Sequence, residues 1–363
     1  MTRQKSGVIW LGFALMVGLS PAVFAQQKDE SGRTQTTSEP QKHKSDPSEL
    51  LHRDHPLVGK IWNAGAGMFV DKQSLLSRLL DGEYILLGET HDNQSHHEHQ
   101  IWVIKELQNH FHKRKRGAKA AVMFEMITEK QAQQLDKKSR RSLTGLLAVL
   151  NKEKTGWKYN VYYKQLFAAV IKAGFPIYPA NLDREDIVQI VMKGEDHIPK
   201  AIKTTMDANR FNEQQKESLK QEIIESHCNM ANDGMVAGMT LAQRVKDAFM
   251  SNSLMDNEPK SVKVLIAGSG HVRADRGIPM YVKQRHGDAK LISLAFMEVT
   301  DGELAVDYYR ERWGEAHLPF DYVWFTPRAQ REDPCEAYAK YLKKKHGENT
   351  QQETDKQSDS SAQ

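Results

Sequence analysis

Two cysteines in 363 residues, a net charge of +4, and a lack of long apolar runs after residue 25 set the first bounds on this chain. Neither Cys228 nor Cys335 stands near residue 25, which excludes lipid attachment behind an export signal. Removing Arg3 and Lys5 lowers the charge to +2, leaving none of the basic excess that a nucleic-acid partner requires. Past the start, no segment approaches the roughly 20 apolar residues of a spanning helix. A G-x-S-x-G elbow is missing, which argues against an α/β-hydrolase triad. Internal repeats are missing too.

The start itself reads as a secretory signal over residues 1–25. Arg3 and Lys5 precede the apolar stretch Val8–Leu19, and Val23-Phe24-Ala25 gives a small-residue cleavage site. The expected mature protein is exported, most simply to a bacterial periplasm. Residues 26–50 are rich in Gln, Lys, Ser, Glu and Asp and read as a disordered linker, and 345–363 read as a disordered tail. The folded part is expected over 51–344. In an oxidising compartment Cys228 and Cys335 could pair, closing a loop of on the order of 100 residues worth roughly 4–5 kcal/mol in a chain-entropy description. Two separate buried thiols are the alternative.

What is present concentrates at Tyr84–Gln100, YILLGETHDNQSHHEHQ. An apolar run stops at Gly88 and gives way to Glu89, His91, Asp92, Asn93, His96, His97 and His99. Four of the 15 histidines fall within nine residues. The pattern reads as a buried strand leaving a sheet, followed by a helix from about Ser95 to His112. Three further apolar runs end in chemically able groups: Ala120–Phe124 at Glu125, Phe175–Tyr178 before Asn181 and Asp183, and Val262–Ala267 before His271. Strands separated by helical stretches imply crossovers and parallel pairing. Parallel strands share one carboxyl edge, where ligands bind in open α/β sheets, so these groups are expected to converge there.

The expected fold class is therefore α/β, a mainly parallel β-sheet flanked by helices, with a smaller inserted all-helical subdomain at about 186–258. Lys72–Leu80 has helical spacing, and Gly59–Trp62 reads as a short edge strand before a glycine-rich turn. Ala289–Val299 and Leu304–Tyr308 flank Thr300-Asp301-Gly302 and read as a hairpin. Tyr322–Phe325 reads as a last strand and Pro334–Lys344 as a terminal helix.

Glu89, His91, Glu125 and His271 form a nitrogen and oxygen set suited to zinc, manganese or iron, and a metal there could activate water for hydrolysis. E-x-H is not the helical H-E-x-x-H of common zinc proteases. Gly268 and Gly270 lack the third glycine of a dinucleotide-binding turn. The aromatic segment GWKYNVYYKQLF places Tyr163, Leu166, Phe167 and Val170 at helical spacing, so core packing is its default reading. A tyrosinate can also ligate haem iron. The run His227-Cys228-x-Met230 could bind copper or approach a haem edge, or simply sit within a helix with a disulfide cysteine. There is no C-x-x-C-H, so covalent haem attachment is excluded.

In order along the chain, HPLVGKIW (55–62), LLGETHDNQSHH (86–97), MFEM (123–126), YKQLFAAVIKAGFPIYPANLDRE (163–185), SHCNM…AQRVKDAFM (226–250), IAGSGHVRADRGIP (266–279) and FDYVWFTP (320–327) resemble the ChaN-like family of iron-regulated haem-binding proteins, grouped with the Tiki and erythromycin-esterase-like superfamily. The resemblance implies an α/β domain with a helical subdomain, non-covalent haem with a tyrosine ligand, a homodimer that can enclose haems, and a link to haem-transport components in iron acquisition. Tyr163 lies in the matching segment, with Tyr159 and Tyr162 as competitors. The remaining residues assigned to the cofactor are His91, His97, Asn181, Arg184, His271 and Arg273. Relatives in the superfamily include metal-dependent proteases and hydrolases, whose Glu/His positions map onto Glu89, His91 and His271. Family members are often lipoproteins, and this chain lacks the lipid-accepting cysteine.

Overall fold

Tyr84–Glu89 is buried at every residue because it stands in the middle of a sheet. A computed structural model describes residues 49–114, 120–153, 155–257, 261–313, 317–333, 335–340 and 342–343. The expected signal peptide (1–25), nearly all of the linker (26–50) and the tail (345–363) lie outside the described residues. The strands are β1 (Leu50–Leu51), β2 (Ile61–Asn63), β3 (Met68–Val70), β4 (Tyr84–Glu89), β5 (Ala120–Thr128), β6 (Ile177–Asn181), β7 (Val262–Gly268), β8 (Leu291–Glu298), β9 (Tyr322–Thr326) and β10 (Arg328–Ala329). The helices are α1 (Lys72–Asp81), α2 (Gln94–Arg114), α3 (Glu129–Gln133), α4 (Leu143–Leu150), α5 (Lys164–Ala173), α6 (Arg184–Lys193), α7 (Lys200–Ala208), α8 (Glu213–Ser226), α9 (Asp233–Asp256), α10 (Ile278–Arg285) and α11 (Val306–Arg312).

Eight strands form the main sheet in the order β3-β2-β9-β8-β4-β7-β5-β6. From β9 to β6 every pairing is parallel, and only the β2 and β3 pairings are antiparallel. The fold class is thus α/β, mainly parallel, as the alternation of strands and helices implies. The period-2 geometry of a strand divides each apolar run between two cores. Ile85, Leu87, Val122, Phe124, Val264 and Ile266 face a layer that includes Leu75, Val103, Leu107, Leu146, Leu166 and Phe167. Tyr84, Leu86, Met123 and Leu265 face the opposite layer with Met250, Leu254, Ile278, Val282 and Tyr309.

Two sequence expectations are corrected. The Ala289–Val299 and Leu304–Tyr308 hairpin does not form. β8 pairs in parallel with β4 on one side and β9 on the other, so neither edge is open to a returning strand, and the second arm is helix α11. The strand expected at Gly59–Trp62 is not the edge. β2 turns through Gly67, in the left-handed region at φ 64°, into β3, which takes that place. Two strands also run further than expected: β5 continues through Glu125 to Thr128 and β6 to Asn181.

Residues 184–256 fold as α6–α9. They carry small apolar cores of their own, one around Ile187, Ile190, Val245 and Phe249 and one around Phe211, Leu219, Ile223, Val236 and Met239. Cys228, in the α8–α9 turn, is bonded to Cys335, so the pairing alternative holds over the two-thiol one. Residues 335–340, part of the expected terminal helix, are helical.

Candidate functional site

Four strand ends of the parallel set meet where the sequence pattern places them. β4 delivers Glu89 and then His91, β5 carries Glu125, β7 ends at Gly268 just before His271, and β6 ends at Asn181. The absence of a side chain at Gly268 lets these groups close up. A Cβ there would lie 3.1 Å from His91 Nε2 and 3.6 Å from Glu125 Oε2, and the Gly268 N–H donates to Glu125 Oε2 at 2.8 Å. Asn93 fixes the entry to α2 by accepting from the Ser95 N–H at 2.9 Å while donating to Glu298 at 2.7 Å and to the Pro327 carbonyl at 2.9 Å.

Glu89 is the hub of one half of the site. Its Oε1 accepts from the Tyr163 hydroxyl at 2.7 Å and lies 2.9 Å from His91 Nδ1. Its Oε2 accepts from Gln100 at 2.6 Å and lies 3.3 Å from His97 Nε2. Burial works against the charge, but His97 and His91 outweigh it and hold the Glu89 carboxyl well below the usual range. Burial and that same carboxylate push the Tyr163 phenol well above its ordinary value. Tyr163 therefore stays a protonated donor.

Glu125 is the hub of the other half. Its two oxygens face His271 Nε2 at 3.4 Å and His91 Nε2 at 3.6 Å, with Lys246 Nζ at 3.9 Å. Asp247, from α9, holds His271 Nδ1 at 2.6 Å. Burial disfavours the imidazolium, yet Glu125 and Asp247 on either side raise His271 to about 9. His91 is raised too, against burial, by Glu125 and Glu89. The result is an alternating chain of three carboxylates and two imidazoles, Glu89, His91, Glu125, His271, Asp247, with Lys246 as a further cation beside Glu125. His96 stands outside it. Its Nδ1 accepts from the Thr90 N–H at 2.9 Å and burial holds it well below its ordinary value, so it is neutral.

The outer wall is aromatic. Residues Tyr159–Tyr163 form one π-helical turn before α5, an irregularity frequent at functional sites. The wide turn buries Tyr159 and Tyr163 and leaves Tyr162 half-buried and Val161 exposed. Trp157, also half-buried, stands edge-on to His91 at 4.8 Å between ring centres. Lys158 Nζ lies 6.0 Å from the Tyr162 ring centre.

Some sequence candidates are placed elsewhere. Tyr159 donates its hydroxyl to the Met126 carbonyl at 2.7 Å within the core. Arg184 is exposed at the start of α6. Arg273 is buried against Glu222 at 2.9 Å and Asp275 at 2.6 Å, with Trp313 over its guanidinium, so its donors are committed to structure. Asn181 belongs to the site, donating to the Glu125 carbonyl at 2.9 Å. Glu89, His91 and His271 do not meet as one ligand set. His91 Nδ1 is taken by Glu89, and its free face points to Glu125. No group of three or more His, Cys, Asp or Glu side chains among the described residues is disposed to hold a metal ion.

Four contributors escape a sequence reading. Asp247 and Lys246 sit in a helical stretch with no local signal, and Glu298 and Arg331 lie in strands and turns far along the chain. Arg331 grips Asp92 through Nε at 2.9 Å and Nη2 at 2.6 Å, and Glu298 through Nη1 at 2.7 Å. The one available signal is positional: Glu298 ends β8, a fifth strand of the same parallel set.

A model of the ChaN family, described as haem-binding uptake within the Tiki superfamily, matches residues 75–282. No curated protein matches the chain significantly. Among solved structures, a ChaN of Campylobacter jejuni described by its cofacial heme binding is similar, with a TM-score of 0.59 and 23% identity over 73% of this chain and 95% of that one. The match spans more than half of the chain and contains Glu89, His91, Glu125, Tyr163 and His271, so the chain belongs to the ChaN family of the Tiki superfamily.

Proposed function

We propose that this protein binds haem non-covalently at the carboxyl edge of its sheet and acts in haem or iron acquisition after export to the periplasm. The observation that carries the reading is the half-buried aromatic pair Trp157 and Tyr162, the first edge-on to His91 and the second 6.4 Å from the His97 ring, beside the buried Glu89 hub within the family-matched region. A flat macrocycle needs an exposed apolar face with a polar anchor beside it, and these residues fit that need. Haem would supply an iron that binds a tyrosinate oxygen.

Among the three candidate tyrosines, Tyr162 is the one to hold the iron. Tyr163 is enclosed and donates to Glu89, and Tyr159 is committed to Met126, whereas Tyr162 is half-buried on the rim. Burial and Asp92 raise the Tyr162 phenol, so an unliganded Tyr162 keeps its proton at neutral pH. Tyr163 and Glu89 then serve as the rigid floor, and exposed Lys158 is suited to a haem propionate. A homodimer that covers this rim from outside, with haem-transport components as partners, completes the proposal. The rival reading, a divalent-metal hydrolase with zinc or manganese on Glu89, His91, Glu125 and His271, has less support, because those groups already satisfy one another as ion pairs.

Hemin titrated into the purified protein should give a saturable, shifted Soret band, with Tyr162→Phe changing the band and Tyr163→Phe altering it less. Loss of saturable binding by neither variant, with no shift in either spectrum, would move the iron away from this wall. Metal analysis of the same preparation tests the rival, which requires a divalent ion lost on changing His91 and His271 together.

A further inference from the structure

We propose that the open edge of the main sheet, at β3, pairs with β3 of a second copy of this chain. The two ends of the sheet are finished in different ways. β6, at one end, has Pro179 at its centre, which has no N–H to offer a further strand. Its carbonyls are also taken, that of Ile177 by Arg140 Nη1 at 3.2 Å and that of Pro179 by the Ser253 hydroxyl at 2.6 Å. Prolines and covering groups of this kind keep sheet edges from pairing with other chains. β3, at the other end, has no such protection. Among the described residues, no side chain or loop bonds to the backbone of Met68–Val70 beyond its pairing with β2.

The side chains on that edge suit a copy of themselves. Met68 is 56% exposed and Phe69 40%. Residues 61–70 carry no charge, with Lys60 before them and Asp71 after. In an antiparallel pair centred on Phe69, that residue lies opposite Phe69 of the second copy, and Met68 lies opposite its Val70. Directly opposed residues share a face of the sheet. Phe69 already stands opposite Trp62 in the β2–β3 register and edge-on to it at 4.9 Å. The pair therefore builds a row of four rings, Trp62 and Phe69 from each copy, across the joint. Asp71 and Lys72 fall opposite Gly67 and Ala66 of the second copy, so no like charges meet. A surface that faces itself across a two-fold axis requires that. Three residues make a short strand, so main-chain bonds are few, the rings carry the contact, and the association is of the weak, transient class.

The joint is separate from the haem site. β3 stands four places from β4 in the sheet, on the order of 19 Å at the usual strand spacing. Joining two copies there leaves both carboxyl-edge sites uncovered, unlike the dimer proposed over the rim, and does not call for haem. The product is one continuous sheet made of two eight-stranded halves.

The test is sedimentation of the haem-free exported form beginning at Gln26, which keeps every described residue, over a wide range of concentration. The parent should pass from monomer to dimer as concentration rises. Phe69→Lys and Phe69→Glu each set like charges opposite one another and should weaken association about tenfold or more. Mixing the two variants should restore it, because opposite charges then face each other across the joint. Leu304→Lys, at another exposed apolar residue, should change nothing. Far-UV circular dichroism of the Phe69 variants should match the parent, since the residue lies outside the core. A parent that stays monomeric, single variants that associate as it does, or a mixture no more associated than its parts would overturn the pairing. Dimers that form only with hemin would place association at the rim and overturn it too. Hemin uptake is read separately, and its absence would sink the haem reading while leaving the joint standing.

Discussion

Two buried ionic clusters lie close behind β7 and are built from different cations. The site cluster sets Glu89, Glu125 and Asp247 against His91 and His271, with Lys246 3.9 Å from Glu125. The second cluster sets Glu222 and Asp275 against Arg273 and Arg276, with Arg276 in direct contact with Glu222. Arginine keeps its charge, so the second cluster is a permanent fastener between α8 and the loop after β7. Histidine can gain or lose a proton near neutrality, so the first cluster can respond to a ligand or to pH. Burial makes both costly to break, but only one is built to change.

The largest effect should come from breaking the permanent cluster. Glu222→Ala removes the buried carboxylate that two guanidiniums share, leaving them only Asp275, and should lower stability by about 3–5 kcal/mol in denaturant titration, with loss of the α8 packing. A loss under about 1 kcal/mol would mean that solvent reaches the cluster and that the contrast is weaker than drawn.

The next effect separates the clusters by pH. His271 is raised from 6.5 to about 9, so its contribution is whole below about pH 6.5 and is lost as pH rises through about 9. Unfolding free energy should therefore fall between those values, by up to about 3 kcal/mol, and Asp247→Asn should flatten the fall. Glu89 and Glu125 are lowered, so their contribution is present above the ordinary carboxylate range and is lost in acid. A stability profile that is level from pH 6.5 to 9 would show that His271 is not charged in the folded protein.

A smaller effect tests the close approach at β7. Gly268→Ala puts a methyl group 3.1 Å from His91 Nε2 and should cost about 1–3 kcal/mol, along with a change in hemin affinity. A variant as stable as the parent, with unchanged affinity, would mean that His91 can yield without consequence.

The edge of the sheet was legible because strand endings carry their own punctuation. Glycines, apolar runs and the polar groups after them placed Glu89, His91, Glu125, Asn181 and His271 together, and parallel pairing did the rest. The hairpin reading failed because turn residues at Thr300–Gly302 say nothing about which strands already flank β8. The resemblance put Tyr163 first among three candidate haem tyrosines, and the sequence could not sort them, since only the π-helical turn sets Tyr163 against Glu89 and leaves Tyr162 half-buried. Asp247 and Arg331 were invisible for a different reason. Their meaning comes from partners 24 and 239 residues away, contacts that no local pattern encodes.

The most direct test is a hemin titration followed by absorbance on the parent protein beside Tyr162→Phe and Tyr163→Phe. Saturable binding with a tyrosinate-type spectrum that disappears in Tyr162→Phe and survives in Tyr163→Phe is the expected result. A spectrum lost in Tyr163→Phe and kept in Tyr162→Phe, or no saturable binding at all, would contradict it.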